Sequence, residues 1–292
     1  MADQPATKTE RRMHAREVAR EQREAQRRRE RRNKLFLQGG LAVGILAVVA
    51  IVALVVVNGV SGGARPANMA SDGIRFSGTD GALTAVTADA DAEGAPTPYG
   101  NDPETVDIVT YVDYLCPYCN QFETANSAQI EEWVASGAAT IEYRPISILD
   151  RLSEGTEYST RAANAVACVA NTEPEAVPAF NTALFANQPA EQTEGLTDDE
   201  LIALAAQSGV TADISACVTG GEFERFIGEA TDRALAGEAL PEDSEIETVA
   251  STPTVLVDGV SYTDYLEANN LSLTDAQVFA DFVAENGDVS VE

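Results

Sequence analysis

The chain has one histidine in 292 residues, His14, and it lies in a basic N-terminal arm. Cys–His and Ser–His–Asp nucleophilic catalysis both need an imidazole to take a proton, so the rest of the chain is excluded from either. Positive charge is also scarce, since 19 Lys or Arg against 47 Asp or Glu leave a formal net charge of −28. An acidic body of this kind repels a phosphate backbone, which argues against nucleic acid as a partner. Cysteine is confined to Cys116, Cys119, Cys168 and Cys217. Zinc would need two further soft ligands beside Cys116 and Cys119, so no metal and no cofactor is expected.

Charge is absent altogether from Leu35 to Val57, a run of 23 residues dominated by Leu, Val, Ile and Ala. That length crosses a bilayer as one helix. A cleaved signal peptide is the competing reading. It fits poorly, because the basic region is long, the apolar run exceeds ~7–15 residues and no good small-residue cleavage site follows. Residues 1–34 hold twelve Lys or Arg and six Asp or Glu, which leaves seven and 41 for the remainder. The arm therefore carries +6 and the rest −34, and the positive-inside rule places the arm in the cytoplasm with the acidic body outside.

After the apolar run, residues 58–103 read as a linker. Its first part is Gly-, Ala- and Ser-rich, and a small hairpin is suggested by Ile74 to Ser77 and Ala82 to Thr87 around Gly78-Thr79-Asp80-Gly81. The folded pattern proper spans 104–292. Val106 to Val112 is a buried strand by its β-branched content, and it runs directly into Cys116-Pro117-Tyr118-Cys119. From there a helical period takes over, with Cys119, Phe122, Ile130, Trp133 and Val134 within about 60° of one direction. Ala139 to Arg144 reads as a second strand, and about 156–236 as a helical block that no strand candidate interrupts, with a capping box at Thr197 to Glu200. A hairpin turning at Asp258-Gly259, through Tyr262, and a helix capped by a box at Thr274 to Gln277 close the pattern.

The strand-to-helix junction carries the chemistry. A helix start offers free backbone N–H groups and the positive end of the macrodipole, both of which favour a thiolate. Pro117 is the favoured first helical residue, which puts Cys116 where that help is greatest and Cys119 on the buried arc. Cys116 is therefore expected to be the exposed nucleophile and Cys119 the resolving thiol, with Tyr118 exposed between them. A structural disulfide and half of a zinc site are the competing readings of the pair. Asp113 is either a proton acceptor for Cys119 or a strand-end residue facing water. In an exported chain Cys168 and Cys217 are expected to pair, against the alternative of two buried free thiols; closing that loop would stabilise the fold by roughly 4 kcal/mol.

Tyr111-Val112-Asp113-Tyr114-Leu115 leading into the CPYC segment, Ser251-Thr252-Pro253-Thr254-Val255, and the helical block between them resemble the DsbA-like branch of the thioredoxin superfamily, in its membrane-anchored Gram-positive form. The resemblance covers roughly Val106 to Asn286. It implies an α/β thioredoxin-like fold with a helical insertion, here preceded by a single transmembrane helix, and an extracytoplasmic thiol–disulfide oxidoreductase that oxidises cysteine pairs. The implied partners are reduced or unfolded secreted polypeptides and a membrane quinone-linked thiol oxidase for recycling. It further implies a cis bond between Thr252 and Pro253, with that loop against the two sulfurs, and Pro117, Tyr118, Thr252 and Pro253 as substrate-positioning residues. The chain departs at Tyr118, where strongly oxidising members carry histidine. The expected potential therefore lies above ~−270 mV and below ~−120 mV. A reductase or isomerase of the same fold and a non-catalytic acidic binding module remain as alternatives.

Overall fold

The computed structural model describes residues 64–87, 96, 105–241 and 243–287. The basic arm and the apolar run Leu35 to Val57 lie outside the described residues. Among the described residues no helix is long and apolar enough to cross a membrane.

Six strands form one sheet: β1 (Ile74–Thr79), β2 (Ala82–Val86), β3 (Val106–Val112), β4 (Ala139–Pro145), β5 (Thr254–Val257) and β6 (Val260–Ser261). Their spatial order is β2-β1-β4-β3-β5-β6, with β3 and β4 parallel and every other pair antiparallel. Helix α1 (Pro117–Ser136) makes the crossover from β3 to β4. Between β4 and β5 come α2 (Tyr158–Thr172), α3 (Val177–Ala186), α4 (Asp198–Gln207), α5 (Ser215–Thr219) and α6 (Glu224–Ala236). The last elements among the described residues are α7 (Tyr262–Asn269) and α8 (Ala276–Asn286).

Strand β3 is buried on both faces, in keeping with its β-branched content. Ile108 and Val112 join the main core with Phe122, Ile130 and Val134 of α1, whereas Val109 and Tyr111 pack on the opposite face with Ala234 of α6 and Leu256. An aromatic cluster clamps α1 to the C-terminal helices: Phe122 and Phe279 meet edge-to-face at 5.2 Å, and Tyr262 and Phe279 at 4.9 Å. Helix α1 stops at Gly137, whose φ of +82° is left-handed and whose N–H reaches Trp133 O and Val134 O. Strand β1 passes so close to that helix end that a Cβ on Gly78 would stand 2.0 Å from Val134 O.

Three sequence expectations shift. The hairpin assigned to a linker belongs to the sheet, because β1 also pairs with β4 and Ile74 and Phe76 are wholly buried. Its polar Arg75 faces no solvent; it pairs with buried Asp107 at 2.7 Å, so the domain begins well before residue 104. Tyr262 opens α7 instead of ending the hairpin, because the Ser261 Oγ accepts from Asp264 N and caps a helix there. The cap of α8 is Asp275, whose carboxylate accepts from Gln277 N and Val278 N, and not Thr274. The capping box at Thr197 and Glu200 forms as read.

Candidate active site

Cys116 is the N-cap of α1 with extended backbone (φ −74°, ψ 117°), and Pro117 follows in the first turn. This cap has no side-chain hydrogen bond to the helix, so the first-turn N–H groups remain available to sulfur. Both cysteines are free thiols. The expected exposure of Cys116 needs correction: its residue is 4% exposed and Cys119 1%, while Tyr118 is 62% exposed. The loop carrying Thr252 covers it, with Cys116 Sγ 3.1 Å from Thr252 O. The Thr252–Pro253 bond is cis.

The two sulfurs are distinguished by electrostatics more than by access. A hydrogen bond from the Cys119 thiol, helped by the Thr252 side chain and the N–H groups of Cys119 and Tyr118, lowers the Cys116 pKa from 9.0 to about 6 against the cost of burial. Burial, with the neighbouring Cys116 sulfur, pushes Cys119 well above its ordinary value. At pH 7 these shifts favour a Cys116 thiolate beside a protonated Cys119.

Asp113 is wholly buried, which removes the solvent-facing reading. Its Oδ1 accepts from Leu115 N at 2.9 Å and Ser159 Oγ at 2.6 Å, and its Oδ2 from Leu149 N at 2.9 Å. Burial nevertheless raises its pKa to about 6, and its charge acts on Cys119. The helical insertion therefore touches the site through α2, which carries Ser159.

A second contact comes from α3 and was not foreseen. Asn120 Nδ2 donates to Phe185 O at 2.6 Å, and Gln188 Nε2 donates to Tyr114 O at 3.1 Å and Cys116 O at 2.9 Å. Deeper along α1, buried Glu123 accepts from Asn181 Nδ2 and Thr182 Oγ1, and Tyr114 OH donates to Asn181 Oδ1. Glu123 had a readable signal, since a carboxylate one turn after Cys119 falls on the apolar arc. Gln188 had none.

Away from these thiols, Cys168 of α2 and Cys217 of α5 form a disulfide with a Cα separation of 6.0 Å. No group of three or more His, Cys, Asp or Glu among the described residues could hold a metal ion.

A family model described as thioredoxin matches residues 93–274, well over half of the chain. The chain belongs to the thioredoxin family. Among solved thioredoxin-fold relatives, the oxidised DsbA of Mycobacterium tuberculosis is 26% identical with a TM-score of 0.54, covering 75% of this chain and 94% of that one. The reduced DsbG of the same organism is 27% identical with a TM-score of 0.49, covering 75% and 95%. The serine/threonine-protein kinase PknE of M. tuberculosis is 33% identical over 123 residues, 41% of this chain. The chain spans about a fifth of that kinase's length, 21%.

Proposed function

We propose that this protein is a membrane-anchored, extracytoplasmic thiol–disulfide oxidoreductase that introduces disulfides into secreted polypeptides. The observation that carries the reading is the dithiol at the start of α1: Cys116 at the N-cap with its Sγ against the cis Thr252–Pro253 loop and Cys119 buried in the first turn, an arrangement that lowers the Cys116 pKa and raises that of Cys119. The likeness to the M. tuberculosis DsbA supports the same chemistry.

In the oxidising cycle a substrate thiolate attacks Cys116 Sγ of the Cys116–Cys119 disulfide. A substrate–Cys116 bond forms, the Cys116–Cys119 bond breaks, and Cys119 leaves as a thiolate that takes up a proton. Buried Asp113, with a pKa of about 6, is suited to exchange that proton. A second substrate thiolate then attacks the substrate sulfur of the mixed disulfide and expels Cys116, a good leaving group because its pKa is low. Two electrons pass from substrate to the dithiol, and a membrane quinone-linked thiol oxidase removes them to complete the cycle. Exposed Pro117 and Tyr118, with Thr252 and Pro253 opposite, position the substrate segment.

Replacing Cys119 by Ala is expected to trap substrate as a covalent adduct on Cys116, and replacing Cys116 to trap almost none. Equal trapping by both variants, read on non-reducing gels with a substrate supplied in its disulfide form so that the Cys116 thiolate can displace one of its sulfurs, overturns the assignment. A reductase is the second reading, favoured by Tyr118 in place of histidine; a potential at or below ~−270 mV would make it the better one.

A further inference from the structure

We infer that Gln188, on the segment leaving α3 of the helical insertion, is a positioning residue for the Cys116 thiolate. The inference rests on the oxidoreductase reading and adds a residue that the dithiol motif does not contain.

The side-chain amide spends its donors on two carbonyls of the active-site turn, Tyr114 O at 3.1 Å and Cys116 O at 2.9 Å. An amide nitrogen carries two hydrogens, so one Gln satisfies both, and only the NH₂ end can face two acceptors. The turn between them is closed by Cys116 N donating to Asp113 O at 2.9 Å. The backbone of Cys116 is thus held on both sides by one side chain. Gln188 is itself fixed by its N–H to Phe185 O at 3.2 Å, and Asn120 Nδ2 grips the same Phe185 carbonyl from α1. Among the described residues the other donor to Cys116 O is Asn120 N, at a longer 3.3 Å.

Two physical effects follow, with the same sign. First, the extended ψ of 117° at Cys116 aims its sulfur at the N–H groups of Tyr118 and Cys119, and the carbonyl bonded to Gln188 belongs to the peptide unit that this angle orients. Second, the Tyr114 and Cys116 carbonyls are dipoles with negative oxygen ends on the turn that carries the sulfur, and Gln188 donates to both. Donors placed on them withdraw that negative potential from the sulfur. Without Gln188 the turn loosens and both oxygens lose a neutralising partner, so the thiolate is less favoured.

The test uses the full chain and the variant Gln188→Met, which keeps the side-chain length and removes the donors. The Cys116 pKa, followed by thiolate absorbance, is expected to rise by about one unit, a tenfold loss in thiolate stability. The equilibrium with glutathione should shift several-fold towards the oxidised protein. Asn187→Ala, which removes an exposed side chain bonded only to its own helix at Ala183 O, is expected to move neither value. A merely structural role would lower the melting temperature and leave the pKa in place. A folded Gln188→Met protein with wild-type pKa and glutathione equilibrium overturns the inference. If that variant does not fold, through-hydrogen-bond NMR couplings from the Gln188 amide to the Tyr114 and Cys116 carbonyls in the wild type decide it, and their absence overturns it. Failure of the wild type to oxidise a reduced substrate would instead defeat the oxidoreductase reading, with the pKa comparison still standing.

Discussion

The reactivity of Cys116 is set by donors that arrive from four places: the first turn of α1, Cys119, the Thr252 side chain and, through the backbone, Gln188. A thiol pKa lowered from 9.0 to about 6 stabilises the reduced state at pH 7 by about 1.4 kcal/mol, which corresponds to about 30 mV in the oxidising direction. Tyr118 adds only its backbone N–H, because its side chain stands in solvent. An imidazolium at that position would add a cation near the sulfur. Tyr118→His is therefore expected to lower the Cys116 pKa by about one unit and raise the potential by about 30 mV. Thiolate absorbance against pH and a glutathione titration measure both; an unchanged or lower potential would show that the donor set, and not residue 118, governs the redox poise.

At the scale of elements, the site depends on α1 being pinned by α3 on one side and the C-terminal helices on the other. Glu123 is the costly member of the first contact. Burial raises its pKa from 4.5 to about 7 even though Asn181 and Thr182 donate to it. The folded state thus holds this proton more tightly than the unfolded chain does. The stability linked to it is fully present below about pH 4.5 and is lost as pH rises through 7. Both donors meet Oε1, so glutamine can keep both bonds without ionising. Glu123→Gln is expected to match the wild type near pH 4 and to exceed it by about 3 kcal/mol near pH 8.5. Urea unfolding at the two pH values checks this; an equal gap at both would mean that Glu123 does not titrate in the fold.

Over the whole molecule, the arm carries +6 and everything after it −34. The acidic body acts weakly on the dithiol, because charges beyond about 8 Å are screened at physiological salt and the local donors lie within contact distance. Orientation in the proposed topology is set by the Lys and Arg of the arm, since acidic residues contribute little to the positive-inside rule. In the proposed arrangement, protease added to intact cells is expected to digest the body and spare the arm, which epitope tags at each end would report. Recovery of an active soluble form that starts near residue 60 would point instead to a cleaved signal.

The strand, the dithiol and the helix that follows were legible because each is encoded by neighbours in the chain: β-branched residues in β3, Pro117 at a helix start, and an apolar arc with Cys119 at its centre. The capping box at Thr197 was legible for the same reason. Tertiary structure alone decided that β1 joins the sheet, since its pairing with β4 links Ile74 to Tyr143 and its arginine is satisfied by Asp107. The resemblance implied the Thr252–Pro253 loop against the sulfurs, but only the tertiary structure supplied the Gln188 contact to the turn of Cys116. Thr252 lies 136 residues from Cys116 and Gln188 lies 72, and no local period specifies which distant carbonyl or amide will meet a given sulfur or peptide group. Periodicity states which face of an element is buried; the groups that complete a buried polar site are chosen by how the elements pack.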